Sequence, residues 1–375
     1  MTIGCHAPLA PARTGVADYA AALARELGRH AEIRLNPSRP CDVELYHLGN
    51  NHLHREIYRR ALERPGVAVL HDAVLQHFFL GSLDLRGYVE EFVYNYGEWH
   101  RDLARRLWQG RARSAQDPRY FRYPMLRRIA ERSLAVVVHN PAAARMVAAH
   151  APEARIVEIP HLHLPLPPPD PVEVTRLRRR LGVAPHAVLF GVFGYLRPSK
   201  RLHVVLRAFA AARREAPECV LLVAGRFESD ELERALAPWL EEPGVHCAGF
   251  LPFEEFALHA AAVDVCLNLR YPPAGETSGI AIRLMGMGKP VVLTAGEETA
   301  RFPEEACVRV DPGPAEEAML ARFMLWLARD AGARQRIGAL AAAHIAREHD
   351  PARCAARYLE VLQAAARVST GAAAG

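Results

Sequence analysis

The stretch HAVLFGVFGYLRPSKRLHVVLRAF, residues 186–209, decides the fold of this chain. Its first nine residues are a short apolar run of the kind that forms a buried strand, and apolar residues then recur at helical spacing from Leu202 onward. Strands alternating with helices predict a parallel sheet covered by helices on both faces. The same alternation continues through three further apolar runs, namely CVLLVAG (219–225), VDVCLNL (263–269) and KPVVLTA (289–295).

The first half of the chain repeats this rhythm, with VAVLHD at 67–72 and LAVVVHN at 134–140. Between the halves, PHLHLPLPPPDP (160–171) holds six prolines in twelve residues, which fits neither a helix nor a central strand. The fold class is therefore α/β, with two doubly wound, Rossmann-like parallel-sheet domains, and 375 residues are enough for two cores.

The predicted domains are residues 1–168 and 169–351. At the start of the second domain, Asp170 is a predicted N-cap with Pro171 in the first helical position, and Gly182 is the predicted helix end. We expect a C-terminal helix at 352–367 to complete the first domain. The terminal STGAAAG predicts a disordered tail over 368–375.

The amino-acid composition indicates what kind of protein this is. The 50% hydrophobic and 24% charged fractions are typical of a globular protein, and no apolar run reaches the length of a membrane-spanning helix. The first residues lack the features of a signal peptide, so we expect a cytoplasmic protein. We expect no nucleic-acid partner. The seven cysteines are scattered and form no C-x-x-C pair, so we predict that they are free thiols.

Basic charge is concentrated in one segment. Residues 101–132 contain ten arginines against three acidic residues, with Trp99, Trp108 and Tyr120 in or beside them. One interpretation is a surface that contacts anionic lipid headgroups, which would place the protein peripherally at the inner face of a membrane through residues 99–132. The other is a solvated helical face whose aromatic residues turn inward.

Two loops of the second half have the composition of an anion site. In doubly wound sheets, ligands bind at the carboxyl ends of the strands. GYLRPSK (194–200) follows one strand and feeds a helix predicted to begin near Ser199, and GETSG (275–279) precedes a helix predicted over 279–286, with Thr277 and Ser278 as candidate caps. Helix N-termini stabilise anions, so two of them with Arg197 and Lys200 suit a diphosphate.

Lysine usage points to the same loops. The chain has 47 basic residues, of which Lys200 and Lys289 are the two lysines. A compact ammonium group on a flexible stem is not reproduced by the planar guanidinium of arginine at a phosphate. Lys200 is therefore a candidate phosphate ligand, whereas Lys289, between a helix and a strand, is either a ligand contact or a residue that caps a helix end.

At this point the sequence resembles a known family. GYLRPSKRLHVVLRAF, VAGRF, GFLP and AAVDVCLNLRYPPAGETSGIAIRLMGMGKPVV, in this order, resemble the donor-binding half of the retaining GT-B glycosyltransferases of family 4. The resemblance is strong over about 190–295 and weaker in the first half, where PLAPARTGVADYAAALARELGRH resembles the glycine loop and first helix of the acceptor domain. It implies a GT-B fold, two domains facing each other across a cleft, and hexosyl transfer from a nucleotide-diphosphate sugar with retention of configuration.

The resemblance also implies roles for individual residues. Arg197 and Lys200, which follow Gly194, match the pair that holds the diphosphate. Glu276 matches the first carboxylate of the Glu-x7-Glu motif and is expected to bind hydroxyls of the donor sugar. The remaining matches are Thr277, Ser278 and Gly279 for the amides around the diphosphate; Gly225, Arg226, Gly249 and Phe250 for the nucleobase; Gly15 for the loop that approaches the phosphates; and His71 and Asp72 for the strand end near the transferred sugar.

One position departs from the family pattern. Counting back seven residues from Pro290, the place of the second carboxylate, usually a ribose contact, holds Arg283. Arginine has donors only and cannot accept from ribose hydroxyls. Either the ribose is held differently, or Arg283 faces an anionic group, or the donor is atypical.

Chemistry of the leaving group sets the expectations about cofactors. Arginine, lysine and backbone amides can stabilise a departing diphosphate without a metal, and the chain contains no Asp-x-Asp pair to hold one. We therefore expect no cofactor and no metal. A non-catalytic nucleotide-sugar binding protein and another nucleotide-sugar enzyme, such as an epimerase, remain alternatives, and the sequence does not identify the acceptor.

Overall fold

The computed structural model describes residues 1–9, 12 and 14–373, with side chains as far as residue 368. Within these residues the chain forms two parallel sheets of six strands each, in two compact units. Unit 1 comprises Met1–Leu164, Pro272–Thr277 and His349–Gly375, and unit 2 comprises Pro165–Tyr271 and Ser278–Glu348. Both units have the doubly wound α/β architecture that the alternating apolar runs predict.

The sheet of unit 1 has the strand order β2-β1-β3-β4-β5-β6. Its strands are β1 (Thr2–His6), β2 (Glu32–Leu35), β3 (Val43–Leu48), β4 (Val67–Leu70), β5 (Ala135–Val138) and β6 (Ile156–Glu158). Its helices are α1 (Gly15–Leu27), α2 (Arg55–Glu63), α3 (Gln76–Ser82), α4 (Leu85–Tyr96), α5 (Arg101–Gln109), α6 (Arg127–Arg132), α7 (Pro141–His150) and α15 (Pro351–Ala373).

The sheet of unit 2 has the strand order β12-β11-β10-β7-β8-β9. Its strands are β7 (Leu189–Phe193), β8 (Val220–Ala224), β9 (Val245–Gly249), β10 (Val265–Asn268), β11 (Val291–Thr294) and β12 (Val308–Val310). Its helices are α8 (Pro171–Arg180), α9 (Leu202–Arg213), α10 (Asp230–Leu240), α11 (Phe253–Ala262), α12 (Gly279–Gly286), α13 (Glu316–Arg329) and α14 (Ala331–Glu348).

The C-terminal helix α15 packs on the sheet of unit 1. Tyr358 is fully buried, and its hydroxyl lies 2.9 Å from that of Tyr19 in α1. Cys354 and Leu362 belong to the same apolar cluster, which also contains residues of β1, β3, β4 and β5. The first and last parts of the chain therefore share one core. Unit 1 cannot complete this core without α15.

Two details differ from the sequence-based expectations at the chain ends and loops. The predicted disordered tail at 368–375 is helical as far as Ala373, since no proline follows Pro351 to end α15; residues 374 and 375 lie outside the described part. Helix α9 begins at Leu202, after a 3₁₀ turn over Pro198–Lys200, and not near Ser199. The prediction for α8 is confirmed, since the Asp170 side chain accepts from Val172 N.

Candidate functional site

The loops that follow β7 and β8 are joined by backbone hydrogen bonds. Leu196 N donates to the carbonyl of Arg226 at 2.8 Å, and Gly194 N donates to Ala224 O at 2.9 Å. A Cβ atom at Gly225 would lie 1.8 Å from Gly194 O, so any larger residue would push the two loops apart. Gly194 itself has φ +99, a conformation that favours glycine. Glycine at both positions lets the two loops meet at the carboxyl edge of the sheet.

Lys200 lies beneath the loop that follows β7. The side chain is 7% exposed, and Nζ donates to Phe193 O at 3.4 Å. A Cβ atom added at Gly194 would lie 3.5 Å from Lys200 Nζ and 3.7 Å from Cγ1 of Ile280, the second residue of α12. The ammonium group and the first turn of α12 therefore flank the same glycine. Lys200 and the GETSG helix come together, as the diphosphate hypothesis requires.

The N-terminus of α12 is capped by Ser278. Its Oγ accepts from Ala281 N at 3.2 Å, and it also accepts from Arg270 Nη2 at 3.0 Å. Helix α12 begins at Gly279, as the sequence predicts, and Ser278 is the predicted cap that is confirmed. The guanidinium of Arg270 thus lies at the positive end of this helix, where an anion is favoured.

Arg270 is a residue that the sequence analysis missed. It comes two residues after the end of β10, and its backbone N donates to Thr294 Oγ1 at 2.9 Å, which ties it to the end of the neighbouring strand β11. The sequence contained a signal for it, because the apolar run VDVCLNL (263–269) predicts a strand and Arg270 follows the carboxyl end of that run. With Lys200 and Arg270, unit 2 brings two cations to the start of α12.

Arg197, the second predicted cation of the loop after β7, is partly buried. Desolvation raises the pKa of the Glu228 carboxyl, and the guanidinium of Arg197 acts against that rise. Arg197 therefore lies close to the segment that follows β8.

The predicted nucleobase positions occupy the ends of β8 and β9, which are neighbours in the sheet. Arg226 is exposed directly after β8. Gly249 closes β9 with φ +63, and the ring of Phe250 is 54% exposed after it. An exposed aromatic ring beside an exposed arginine offers a stacking surface and hydrogen-bond donors at the carboxyl edge of the sheet.

The last two predicted positions of unit 2 lie in and after α12. Arg283 is partly buried within α12. Lys289 is a structural residue, since its Nζ donates to Ala261 O at 2.8 Å in the last turn of α11, and burial lowers its pKa. Of the two interpretations of Lys289, the structure favours the one that caps a helix end.

Unit 1 gathers histidines at the carboxyl edge of its sheet. His47 near the end of β3, His71 after β4 and His139 after β5 follow three adjacent strands. His47 Nδ1 and His71 Nε2 lie 3.0 Å apart and share one hydrogen bond, and the rings of His71 and His139 have centroids 5.2 Å apart. Burial lowers the pKa of His71 well below its usual range, so this side chain is neutral. It can therefore donate or accept a hydrogen bond without carrying charge.

Asp72 stands beside this histidine group. Its Oδ2 accepts from Asn50 N at 2.9 Å, which ties the end of β4 to the loop that follows β3. The next residue, Ala73, donates its backbone N–H to Ala274 O at 2.9 Å. The residue that directly follows the predicted pair His71–Asp72 thus contacts the segment that contains Glu276.

The GETSG motif is divided between the two units. The sequence-based domain boundaries place all of it in the second domain, but Pro272–Thr277 belong to unit 1 and Ser278 begins unit 2 again. The reason is a set of hydrogen bonds to unit 1 that sequence spacing does not reveal. Besides Ala73, Asn140 donates to Gly275 O and to Thr277 Oγ1, both at 2.9 Å. Thr277 therefore does not cap α12.

Gly15 is the first residue of α1, after the N-cap Thr14, whose Oγ1 accepts from Ala17 N. A Cβ atom added at Gly15 would meet nothing within 4 Å. Unlike Gly225, this position has no packing requirement for glycine among the described residues.

Among residues 1–9, 12 and 14–373, no group of three or more His, Cys, Asp or Glu side chains has the geometry to hold a metal ion. No helix in that same part of the chain is long and apolar enough to cross a membrane.

Comparisons with known proteins concern the sequence of the second half of the chain and the overall fold. Residues 186–330 match the sequence model of the family described as glycosyl transferases group 1. None of the curated proteins matches the chain in sequence.

The fold matches solved structures along nearly the whole chain. HepE of Anabaena, in complex with UDP-glucose, is 17% identical with a TM-score of 0.68, and the match covers 97% of this chain and 100% of that one. Sucrose-phosphate synthase of Thermosynechococcus elongatus is 14% identical with a TM-score of 0.67, covering 97% and 98%. WaaG, a glycosyltransferase involved in lipopolysaccharide biosynthesis, is 14% identical with a TM-score of 0.61, covering 95% and 98%. The two six-stranded parallel sheets are those of the GT-B fold.

Proposed function

Because residues 186–330 match the sequence model of the glycosyl transferases of group 1, we propose that this chain belongs to that family and transfers a hexosyl group from a nucleotide-diphosphate sugar to an acceptor hydroxyl. We further propose that the transfer retains the anomeric configuration and needs no metal ion. HepE, whose structure contains UDP-glucose, supports a nucleotide-sugar donor for a chain of this fold.

The observation that carries the proposal is the meeting of Lys200 with the first turn of α12. Lys200 Nζ and Ile280 both flank Gly194, and Arg270 donates to the cap residue Ser278. The first amides of a helix and two cations suit a group with several negative charges. A diphosphate carries such charge.

The chemistry follows from this charge. When the bond between the sugar C1 and the diphosphate oxygen breaks, negative charge develops on the departing diphosphate. Fixed donors aimed at such charge commonly make the largest contribution to catalysis. We propose that these donors are the side chains of Lys200, Arg197 and Arg270 and the backbone amides of Ser278 and Gly279. Because they can stabilise the diphosphate by themselves, the reaction needs no metal ion.

Unit 1 supplies the candidates for the sugar. Glu276 lies in the segment that Ala73 and Asn140 hold, and the neutral His71 lies two residues before Ala73. A carboxylate can accept from two sugar hydroxyls, and a neutral imidazole adds a donor or an acceptor. We propose that Glu276, His71 and Asp72 bind the transferred sugar, and that Arg226 and Phe250 contact the nucleobase.

The experiment that tests the function uses the two lysines. Transfer from UDP-, GDP- and ADP-sugars, without added metal and with chelator present, is measured by release of the nucleotide diphosphate. Lys200→Ala should lower the rate roughly 10²- to 10³-fold, because it removes a cation from the leaving group. Lys289→Ala is the matched control, since its Nζ binds a helix carbonyl; it should lower stability but leave the rate of the folded enzyme unchanged.

Equal rates for Lys200→Ala and the unmodified enzyme would refute the leaving-group role. The alternative function is a nucleotide-sugar binding protein without activity, and Arg283 is the observation that favours it, because an arginine replaces a family carboxylate. Tight donor binding by calorimetry, with no turnover for any donor, would establish that alternative instead.

We also propose that residues 99–132 contact an anionic membrane surface, which would hold a cytoplasmic enzyme at the inner face of the membrane. The supporting observation is Trp99, whose side chain is 99% exposed directly before α5. Arg105, Arg106 and Arg113 are exposed on and after the same helix. Tryptophan beside arginines is the composition that partitions to a lipid headgroup region. Vesicle binding that depends on Trp99 is the test.

A further inference from the structure

Asn140 joins two features of unit 1 through one buried side chain. It follows β5, is 1% exposed, and caps α7 by accepting from Ala143 N at 2.9 Å. Asparagine is a common N-cap residue, and proline is common at the first helical position after it. This capping role accounts for the hydrogen bond that Oδ1 accepts. The Nδ2 atom makes two further bonds that the helix does not need.

Both hydrogens of that amide are directed at the segment 272–277. Asn140 Nδ2 donates to Gly275 O and to Thr277 Oγ1, each at 2.9 Å. These two acceptors lie on either side of Glu276. The side chain that starts α7 therefore fixes the backbone immediately before the candidate carboxylate and the side chain immediately after it.

Close packing completes the attachment. Ala73 N donates to Ala274 O at 2.9 Å, and a Cβ atom at Gly275 would lie 2.5 Å from Ala73 Cβ and 3.3 Å from Met146 Sδ. Gly275 has φ +66, so glycine is required both for conformation and for space. Ala73 follows His71–Asp72 directly, and Asn140 follows His139 directly. The segment is thus attached to the ends of the two strands that carry these histidines.

We infer that Asn140 is a positioning residue, which holds Glu276 in register with His71 through its two bonds to the flanking residues. The inference rests on the proposed function, because the register of Glu276 matters only if this carboxylate binds the donor sugar. Displacement of such a group by about 1 Å can cost on the order of 10² in rate. In our proposal the nucleotide is bound by residues of unit 2, which Asn140 does not contact.

Asn140→Ser separates the two roles of the side chain. Serine caps a helix about as well as asparagine. Its side chain is shorter, however, and its hydroxyl has one donor where the asparagine NH₂ group has two, so it cannot replace both bonds to Gly275 and Thr277. The matched control is Asn95→Ser. Asn95 is also buried in unit 1, where its amide donates to Glu91 O at 2.9 Å and its Oδ1 accepts from Arg127 N at 2.9 Å, outside the segment 272–277.

The first readout does not depend on catalysis. Hydrogen exchange of the amides at 274–277 is measured by mass spectrometry in the unmodified protein and in both variants. Asn140→Ser should raise the exchange rate in this segment at least about tenfold while α7 stays protected, and Asn95→Ser should leave the segment unchanged. Unchanged exchange at 274–277 in Asn140→Ser would overturn the inference.

The second readout is kinetic. Asn140→Ser should lower kcat roughly 10- to 100-fold with a smaller change in the KM for the donor, whereas Asn95→Ser should keep both constants after correction for the folded fraction. Equal kcat for Asn140→Ser and the unmodified enzyme would refute the positioning role. If the unmodified protein turns over no donor, the proposed function fails, and hydrogen exchange still decides whether Asn140 holds the segment.

Discussion

At the scale of single residues, the charged groups of unit 2 divide into those that hold the fold and those that lie at the start of α12. Lys289 donates to a helix carbonyl, and Asp264 accepts from Leu189 N at 2.8 Å and pairs with Arg178 at 2.9 Å. Lys200 and Arg270, by contrast, lie at the first turn of α12. This division explains why one of the two lysines is the better target for mutagenesis.

Gly15 gives a prediction at this scale. Because a methyl group at Gly15 meets no atom of the described residues within 4 Å, Gly15→Ala should keep or raise the free energy of unfolding, by up to about 1 kcal/mol from helix propensity. If the diphosphate approaches this backbone, the same methyl group displaces it, and kcat/KM for the donor should fall on the order of 10²-fold.

Denaturant unfolding and donor kinetics check the two halves of this prediction. Gly81→Ala in α3 serves as the control, since a Cβ atom there would come no nearer than 4.0 Å to a neighbouring side chain, and its kinetics should not change. A stable Gly15→Ala enzyme with unchanged donor kinetics would mean that the donor does not approach Gly15.

The sequence predicted single residues well where a side chain acts within a short motif. Ser278 caps the helix that its own motif begins, and Asp170 does the same for α8. It failed for Arg270 and for Asn140, because the partners of these side chains come from other parts of the chain. Asn140 is 135 residues away from Gly275 in sequence. Such a pairing depends on the order of strands in the sheet, which local pattern does not contain.

At the scale of elements, the strands that the apolar runs predicted all lie inside the sheets, away from the sheet edges. β4, β5, β7, β8, β10 and β11 all coincide with predicted runs. β2, β6, β9 and β12 lie at sheet edges, and β2 and β9 have several exposed positions, so their composition is less apolar. β3 is buried throughout, but Glu44 interrupts its apolar pattern; this carboxylate is paired with His6 of β1 at 2.8 Å.

Helix α5 and the turn before it carry the prediction about membranes. The protein should bind phosphatidylcholine vesicles that contain phosphatidylglycerol and bind vesicles of phosphatidylcholine alone much more weakly, because the arginines need an anionic surface. Trp99→Ala should weaken binding to the anionic vesicles about tenfold or more, since a large apolar side chain contributes at least about 1.5 kcal/mol when it leaves water.

Co-sedimentation measures the binding, and Trp326→Ala is the control, because this tryptophan is 41% exposed in α13 of unit 2. Equal loss of binding in the two variants would point to a general effect of removing tryptophan. Equal binding of the unmodified protein to both kinds of vesicle, or to neither, would refute an electrostatic membrane contact.

At the scale of the whole molecule, the buried histidines of unit 1 predict how stability depends on pH. Burial lowers the pKa of His47 to about 3 and the pKa values of His54 and His139 to about 4. In the unfolded chain these groups have pKa values near 6.5. Below that value the unfolded state takes up protons that the folded state does not, so stability falls as the pH falls.

Each of the three groups should contribute about 1.4 kcal/mol per pH unit between roughly pH 6 and pH 4.5. Urea unfolding at pH 7, 6 and 5 measures the loss, and most of it should precede the titration of ordinary carboxylates. His139→Gln should make the dependence shallower by about 1.4 kcal/mol per pH unit over this range, because the unfolded variant takes up one proton fewer. A free energy of unfolding that is constant from pH 7 to pH 5 would contradict the prediction.

The division into two units was predictable in outline, and its details were not. The proline-rich stretch 160–171 contains the passage from Leu164 of unit 1 to Pro165 of unit 2. The return of Pro272–Thr277 to unit 1 depends on Ala73, Asn140 and the space beside Gly275, which come together only in the folded protein.

The placement of α15 has a consequence for the order of events at the ribosome. Residues of β1, α1 and β3 are synthesised before unit 2, yet the core that they share with Cys354, Tyr358 and Leu362 closes only when α15 has emerged. Unit 2 is complete in sequence at Glu348, so it can finish folding before the unit that was begun earlier. Nascent chains that stop before Pro351 therefore present an uncovered apolar sheet face, which is the kind of surface that recruits chaperones.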